Sequence, residues 1–154
     1  MTLIKDISQF KAVSLNMDYQ RMMHYIEHVE LRYIKSLLGE ELYEDIQKED
    51  SSNKANNDKL LEKLTPAIAY YAYGEAMMNE SDKLTPTGLV NKVNDYSNPV
   101  DGNAIMFKYK KACRDAEFFV AEALDFLLEY KDDFPLWERG QPKRSCKRVN
   151  VSFL

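Results

Sequence analysis

Asp82 to Gly102 reads DKLTPTGLVNKVNDYSNPVDG. It separates the two longest helical patterns of the chain, and the rest is read from it. Pro86, Pro99, Gly88 and Gly102, with Asn91, Asn94 and Asn98, break any helical periodicity there. Yet Leu84, Leu89, Val90 and Val93 are apolar residues that a plain linker does not need. The pattern predicts an extended arm or small β-hairpin, inserted between the last two long helices of a mainly α chain. Thr85-Pro86-Thr87-Gly88 supplies the turn chemistry, because proline fixes φ and glycine tolerates positive φ. An arm of this kind suits gripping a neighbouring copy, so the stretch points to assembly rather than catalysis.

Working back from the arm, Asp58 to Asn79 predicts a long helix. Pro66 must kink or restart it, with Thr65 as the cap of a restart. Leu61, Leu64, Ile68, Ala72 and Met78 make one face, while Tyr70, Tyr73 and Met77 lie roughly opposite. A helix apolar on both sides is buried on both sides. Before it, Asp50 to Asn57 (DSSNKANN) reads as a loop. Glu40 to Lys48 reads as a short acidic helix with Leu42, Tyr43 and Ile46 inward. Tyr19, Met22, Met23, Ile26, Val29, Tyr33, Ile34 and Leu37 form a stripe at helical spacing, capped by Asn16 or Asp18 and ended or bent at Gly39. Ile4 to Val13 predicts a short first helix with Ile7, Phe10 and Val13 inward.

Working forward, Asn103 to Tyr130 predicts the last long helix. Ile105, Tyr109, Ala112, Ala116, Phe119, Ala123, Leu127 and Tyr130 follow one another in steps of four or three, a heptad-like seam whose small residues admit a close neighbour. Phe107 and Phe118 project from the opposite side, near Arg114 and Asp125, and large aromatics on a polar face need a second partner. Pro135 ends the helical region. Val149, Val151 and Phe153 alternate with Asn150 and Ser152, the period of a short strand, ending at Leu154.

At 154 residues the chain is one small helical bundle over 1–140, with the arm at 82–102, followed by an extended tail over 141–154. A net charge of −4 and a pI near 5.3 argue against a dedicated nucleic-acid binder. The charge is uneven. Lys143, Arg144, Lys147 and Arg148 give the tail +4 with no acid, which leaves the body at −8. A basic tail on an acidic body suits docking on an acidic partner, against the alternative of a merely solvated terminus. The strand pattern sharpens this: Val149, Val151 and Phe153 fit the edge of a partner's sheet.

Cys113 and Cys146 make no disulfide framework, and a reducing compartment is expected, with Cys113 packing as a small hydrophobe. No signal-peptide pattern opens the chain. The longest uncharged apolar stretch, Leu64 to Gly74, falls well short of the roughly 20 residues of a membrane span, so a soluble chain is expected.

One enzyme signature occurs. His24-Tyr25-Ile26-Glu27-His28 is H-x-x-E-H, which places two histidines on one helix turn with a glutamate as base, the zinc pattern of a hydrolase. Both histidines sit on the side of the helix away from Ile26, however, where a catalytic zinc lacks a dry cavity. No residue stands out as a third ligand, so neither a metal nor a catalytic residue is expected. All five glycines are isolated, so there is no phosphate loop, and no G-x-S-x-G elbow frames a serine. Glu40, Glu41, Glu44 and Asp45 read as a solvated face, or as a wall that repels DNA. Tyr70, Tyr71 and Tyr73 lack adjacent cations and read as packing rather than base stacking.

Four segments together resemble a known family. They are Leu3-Ile4-Lys5-Asp6-Ile7-Ser8-Gln9-Phe10, Ile34-Lys35-Ser36-Leu37-Leu38-Gly39, Leu64-Thr65-Pro66-Ala67-Ile68-Ala69-Tyr70-Tyr71-Ala72 and Leu84-Thr85-Pro86-Thr87-Gly88-Leu89-Val90. In this order they resemble the head-to-tail connector (adaptor) proteins of tailed bacteriophages, nearest to the crAss-like phage type, over nearly the whole chain. The resemblance implies a small helical bundle with an extended insertion and no catalytic residues or cofactor. It implies a homo-oligomeric ring, commonly of twelve copies, at the head–tail junction of a virion assembled in the host cytoplasm. Such a ring extends a channel that DNA crosses without sequence-specific binding. It meets neighbouring tail or ring proteins, and its C-terminal tail reaches the portal. The expected subunit contacts are Tyr70, Tyr73, Met77, Leu84, Leu89, Val90, Val93, Phe107 and Phe118. The expected portal contacts are Lys143, Arg144, Lys147, Arg148, Val149, Val151, Phe153 and Leu154. The alternatives are a small helical protein-binding module with a regulatory role, its arm one half of a dimer grip, and, more remotely, the zinc hydrolase.

Overall fold

A computed structural model describes Leu3 and residues 19–80, 82–85, 88–91 and 101–137. The expected first helix, the caps Asn16 and Asp18 expected for the helix after it, Val93, Cys146 and the whole tail lie outside these residues. The chain is mainly α. Helix α1 (Tyr19–Val29) runs through one wide π turn (Glu30–Ile34) into α2 (Lys35–Leu38). Then come α3 (Glu40–Gln47), α4 (Lys54–Glu80) and α5 (Gly102–Glu129), with a single 3-10 turn at Lys131–Asp133. Between α4 and α5, strands β1 (Asp82–Thr85) and β2 (Gly88–Asn91) pair antiparallel, Leu84 opposite Leu89. No helix among the described residues is long and apolar enough to cross a membrane.

The π turn follows from the spacing of the first stripe. Met22, Ile26 and Val29 are buried at ordinary helical steps, but the next buried aliphatic is Ile34, five residues on. An α-helix would turn Ile34 away from the core. A π turn absorbs the extra residue and keeps Ile34, Leu37 and Leu38 inward. Gly39 then ends α2 at φ 83°, a backbone region that costs glycine nothing, and its carbonyl accepts the Tyr43 N–H that starts α3. Leu42, Tyr43 and Ile46 are buried, as the periodicity predicts.

Helix α4 is the centre of the bundle, with α5 packed along one side and α1 along another. Leu60, Leu64, Ala67, Ile68, Ala69, Tyr71, Ala72 and Ala76 are all buried, which spreads the apolar surface over roughly 200° of its circumference. Two expectations are corrected here. Pro66 does not restart the helix: α4 is continuous through it, and Thr65 caps nothing, its hydroxyl donating instead to the Leu61 carbonyl at 2.6 Å. Burial of the surrounding face outweighs the single backbone bond that proline removes. The polar stretch before α4 is also shorter than its composition suggests. The helix already starts at Lys54, and Asn57 is buried.

Against α4, helix α5 lays Ala112, Cys113, Ala116, Ala123 and Leu127, all buried. Gly74 lets α5 lie close against α4: an added Cβ there would sit 3.3 Å from Tyr109 Cδ2 and 3.5 Å from Ala112 Cβ. Burial pushes the Tyr109 phenol well above its ordinary pKa, and the Cys113 thiol beside it adds to the shift. Tyr130, expected on the inner seam, lies one residue past the helix and is largely exposed, its ring packed beside Phe126 at 4.8 Å. Phe134 closes the end of the core, and Trp137 Nε1 donates to the Leu37 carbonyl at 3.4 Å.

Candidate subunit interface

The outer side of α5 carries the clearest surplus of apolar surface. Phe107 is 71% exposed and Phe118 60% exposed. They are three helical turns apart, about 16.5 Å along one face. The sequence places them opposite the inner seam, and the structure puts them there. Around them stand exposed charges in two blocks: Lys108, Lys110, Lys111 and Arg114 toward the N-terminus, Glu117, Glu122, Asp125 and Glu129 toward the C-terminus. Among the described residues none of these eight has an ion-pair partner. Leu128, 45% exposed on the same side, was not singled out from the sequence, because it adjoins Leu127 and reads as one apolar run with it.

The other expected contact residues separate into two groups. Tyr70, Tyr73 and Met77 are half-buried on α4. Tyr70 already has part of its cover inside the chain, its ring stacked on Phe119 at 5.7 Å and 12°. Leu84, Leu89 and Val90 lie on the paired strands, between the ends of α4 and α5. Val93 and the tail residues from Lys143 to Leu154 lie outside the described residues.

Two polar groups in the core were not legible in the sequence. Glu30, 1% exposed, opens the π turn, and both its carboxylate oxygens accept the Leu3 N–H at 2.9 Å. Tyr43 donates to it at a long 3.5 Å. Burial, then the negative charge of Glu30, pushes the Tyr43 phenol up to about 12. Glu30 thus pins the start of the chain to the body. The second node joins α3 to α4. Asp45 Oδ2 accepts from Ser51 Oγ at 2.7 Å and from Asn57 Nδ2 at 2.8 Å, which holds the Asp45 carboxyl below its ordinary pKa. Asn53 Nδ2 donates to the Asp133 carbonyl at 2.6 Å and so ties this node to the 3-10 turn that follows α5. These contacts build the scaffold; they present no nucleophile or acid–base pair to an open cleft.

His24, Glu27 and His28 are all exposed on α1. Among the described residues no group of three or more His, Cys, Asp or Glu side chains is placed to hold a metal ion. A shallow groove between α4 and α5, walled by Lys59, Lys63, Pro66, Phe119, Glu122 and Phe126, is open to solvent, and Lys63 Nζ lies 5.4 Å from the Phe126 ring centroid. The surface thus presents exposed aromatic side chains set among charges.

No curated protein and no solved structure matches the chain. A family model described as a family of unknown function matches residues 34–147, from the end of the π turn through all of α5, and the chain therefore belongs to the DUF6712 family.

Proposed function

We propose that this chain is a structural subunit of a tailed-phage virion, forming a homo-oligomeric ring between portal and tail. The observation that carries the reading is the exposed pair Phe107 and Phe118 on an otherwise charged helix face, which the fold leaves uncovered. Exposed aromatics of this size on a helix already anchored along its other side favour a protein partner. The resemblance of the sequence to head-to-tail connectors supplies the kind of assembly. In that assembly the arm with Leu84, Leu89, Val90 and Val93 contacts a neighbouring copy. The basic tail with Val149, Val151 and Phe153 adds to the portal, its cations speeding and orienting the encounter.

The test is reconstitution with the portal protein of the same genome, read by electron microscopy and native mass. Rings seated on the portal are the expected result. They should be lost when the chain is truncated after Gly140 and weakened by salt through the tail's cations. A truncated chain that still decorates the portal, or no ring under any condition, overturns the reading.

A further inference from the structure

The outer face of α5 contains a second heptad seam. Phe107, Lys111, Arg114, Phe118, Ala121, Asp125 and Leu128 follow steps of four and three, and all seven are exposed. This seam reads as its own complement when reversed. Laid antiparallel on a second copy about a point at Phe118, Phe107 meets Leu128, Lys111 meets Asp125, Arg114 meets Ala121 with Glu122 beside it, and Phe118 meets itself. We propose that two copies of the free chain pair in this way, through antiparallel α5 helices related by a two-fold axis at Phe118.

The charge order on α5 argues for this occupant. A helix dipole favours acids at the N-terminus and cations at the C-terminus. Helix α5 has the reverse, with all its exposed cations before Phe118 and four exposed acids, Glu117, Glu122, Asp125 and Glu129, around and after it. Lys110 with Arg114 and Asp125 with Glu129 are like-charge pairs at i and i+4, which destabilise a lone helix. An antiparallel copy turns both costs into attraction, because each basic half faces an acidic half and the two macrodipoles oppose. The two phenyl rings of Phe118 then cover each other, and Ala121 gives room for the Arg114 side chain. A parallel copy would set cations against cations. The α5 helix has 28 residues, about 42 Å, enough for the seven-layer contact that the seam describes.

The contact is isologous, so it closes at two copies. It goes beyond the ring reading and does not depend on it. A polar ring needs head-to-tail contacts, so ring assembly would exchange this pairing for another, and the pair would keep Phe118 covered until a portal is present.

The experiment uses the full chain. In a Cys146→Ser background, where the remaining Cys113 is buried, Phe118→Cys places a thiol on the axis. Helices packed 8–10 Å apart bring Cα atoms on the axis to about 4–6 Å, within disulfide reach. Mild oxidation should give a disulfide-linked dimer and nothing larger. By sedimentation the unmodified chain should weigh twice its 18.0 kDa. Lys111→Glu alone and Asp125→Lys alone should each weaken the dimer roughly tenfold or more, since each puts two like-charge contacts in every pair. The double variant K111E/D125K should restore the dimer. Circular dichroism shows that each variant remains helical. A monomer at tens of micromolar, no cross-link at position 118, or no rescue by the charge swap overturns the pairing and leaves the ring reading standing. A dimer of the unmodified chain that never forms rings with a portal does the reverse.

Discussion

Helix α5 shows two seams of the same period with opposite fates. The inner one, Tyr109, Ala112, Ala116, Phe119, Ala123 and Leu127, meets α4 largely through small side chains and a glycine; its alanines and Leu127 are buried, and Tyr109 and Phe119 are half-buried. The outer one carries Phe107, Phe118 and Leu128 between charges that have no ion-pair partner among the described residues, and it is exposed. Small residues allow close backbone approach and suit contacts made within one folding chain. Large aromatics set among charges remain compatible with water until a partner arrives. Side-chain size and charge, rather than periodicity, separate the face that builds the fold from the face that the fold presents.

The contrast can be broken most strongly from inside. Leu127→Ala removes a side chain with no solvent exposure and should cost about 2–5 kcal/mol in chemical unfolding. A loss under 1 kcal/mol would mean that the inner seam does not hold α5 down. Gly74→Val should cost about 1–3 kcal/mol by overpacking, because even its Cβ would press on Tyr109 at 3.3 Å. A neutral result would show that the helices can separate freely at that point.

The polar nodes come next in size. Asp45→Ala deletes the acceptor shared by Ser51 and Asn57, for about 1 kcal/mol. The pH dependence has a definite sign. Hydrogen bonds from Ser51 and Asn57 lower the Asp45 pKa in the folded state, so its contribution is complete above the ordinary carboxylate value of about 3.9 and vanishes as pH falls through the lowered one. Wild type and variant should therefore converge in stability in acid and diverge toward neutrality, in parallel denaturant titrations. Tyr43 acts at the other end of the scale. Its phenol is raised to about 12, so its contribution is complete below the unfolded value of about 10 and is lost as pH rises toward 12. Tyr43→Phe should flatten alkaline unfolding in that window, and an unchanged profile would remove Tyr43 as the cause.

The smallest effect on folding is expected at the outer seam. Phe118→Ser should change monomer stability by no more than about 0.5 kcal/mol, since the ring is mostly in water. A large loss would mean that Phe118 belongs to the fold after all, through its edge-on contact with Phe119 at 5.3 Å.

Much of this architecture was legible before any coordinates. The four-and-three spacing of α5, the inward residues of α3, the break at Gly39, and the exposure of Phe107 and Phe118 all follow from local periodicity and residue type. Local rules apply where one helix face decides the outcome. Three features needed the tertiary structure. Pro66 sits inside α4 because α1 and α5 bury the turns around it, and that packing outweighs a proline's local preference. Glu30 stands one α-helical turn after Ile26 on the same face, and it is tolerated in the core because the Leu3 amide and the Tyr43 hydroxyl donate to its carboxylate. The run DSSNKANN ends in a helix because Asp45, from a different element, takes up the Asn57 amide that composition alone assigned to a loop. In each case the deciding partner is distant in sequence or on another helix, so no pattern within the segment could encode it. Amino-acid order determined which faces are apolar; only the packing of α1, α4 and α5 decided which of those faces stayed in water.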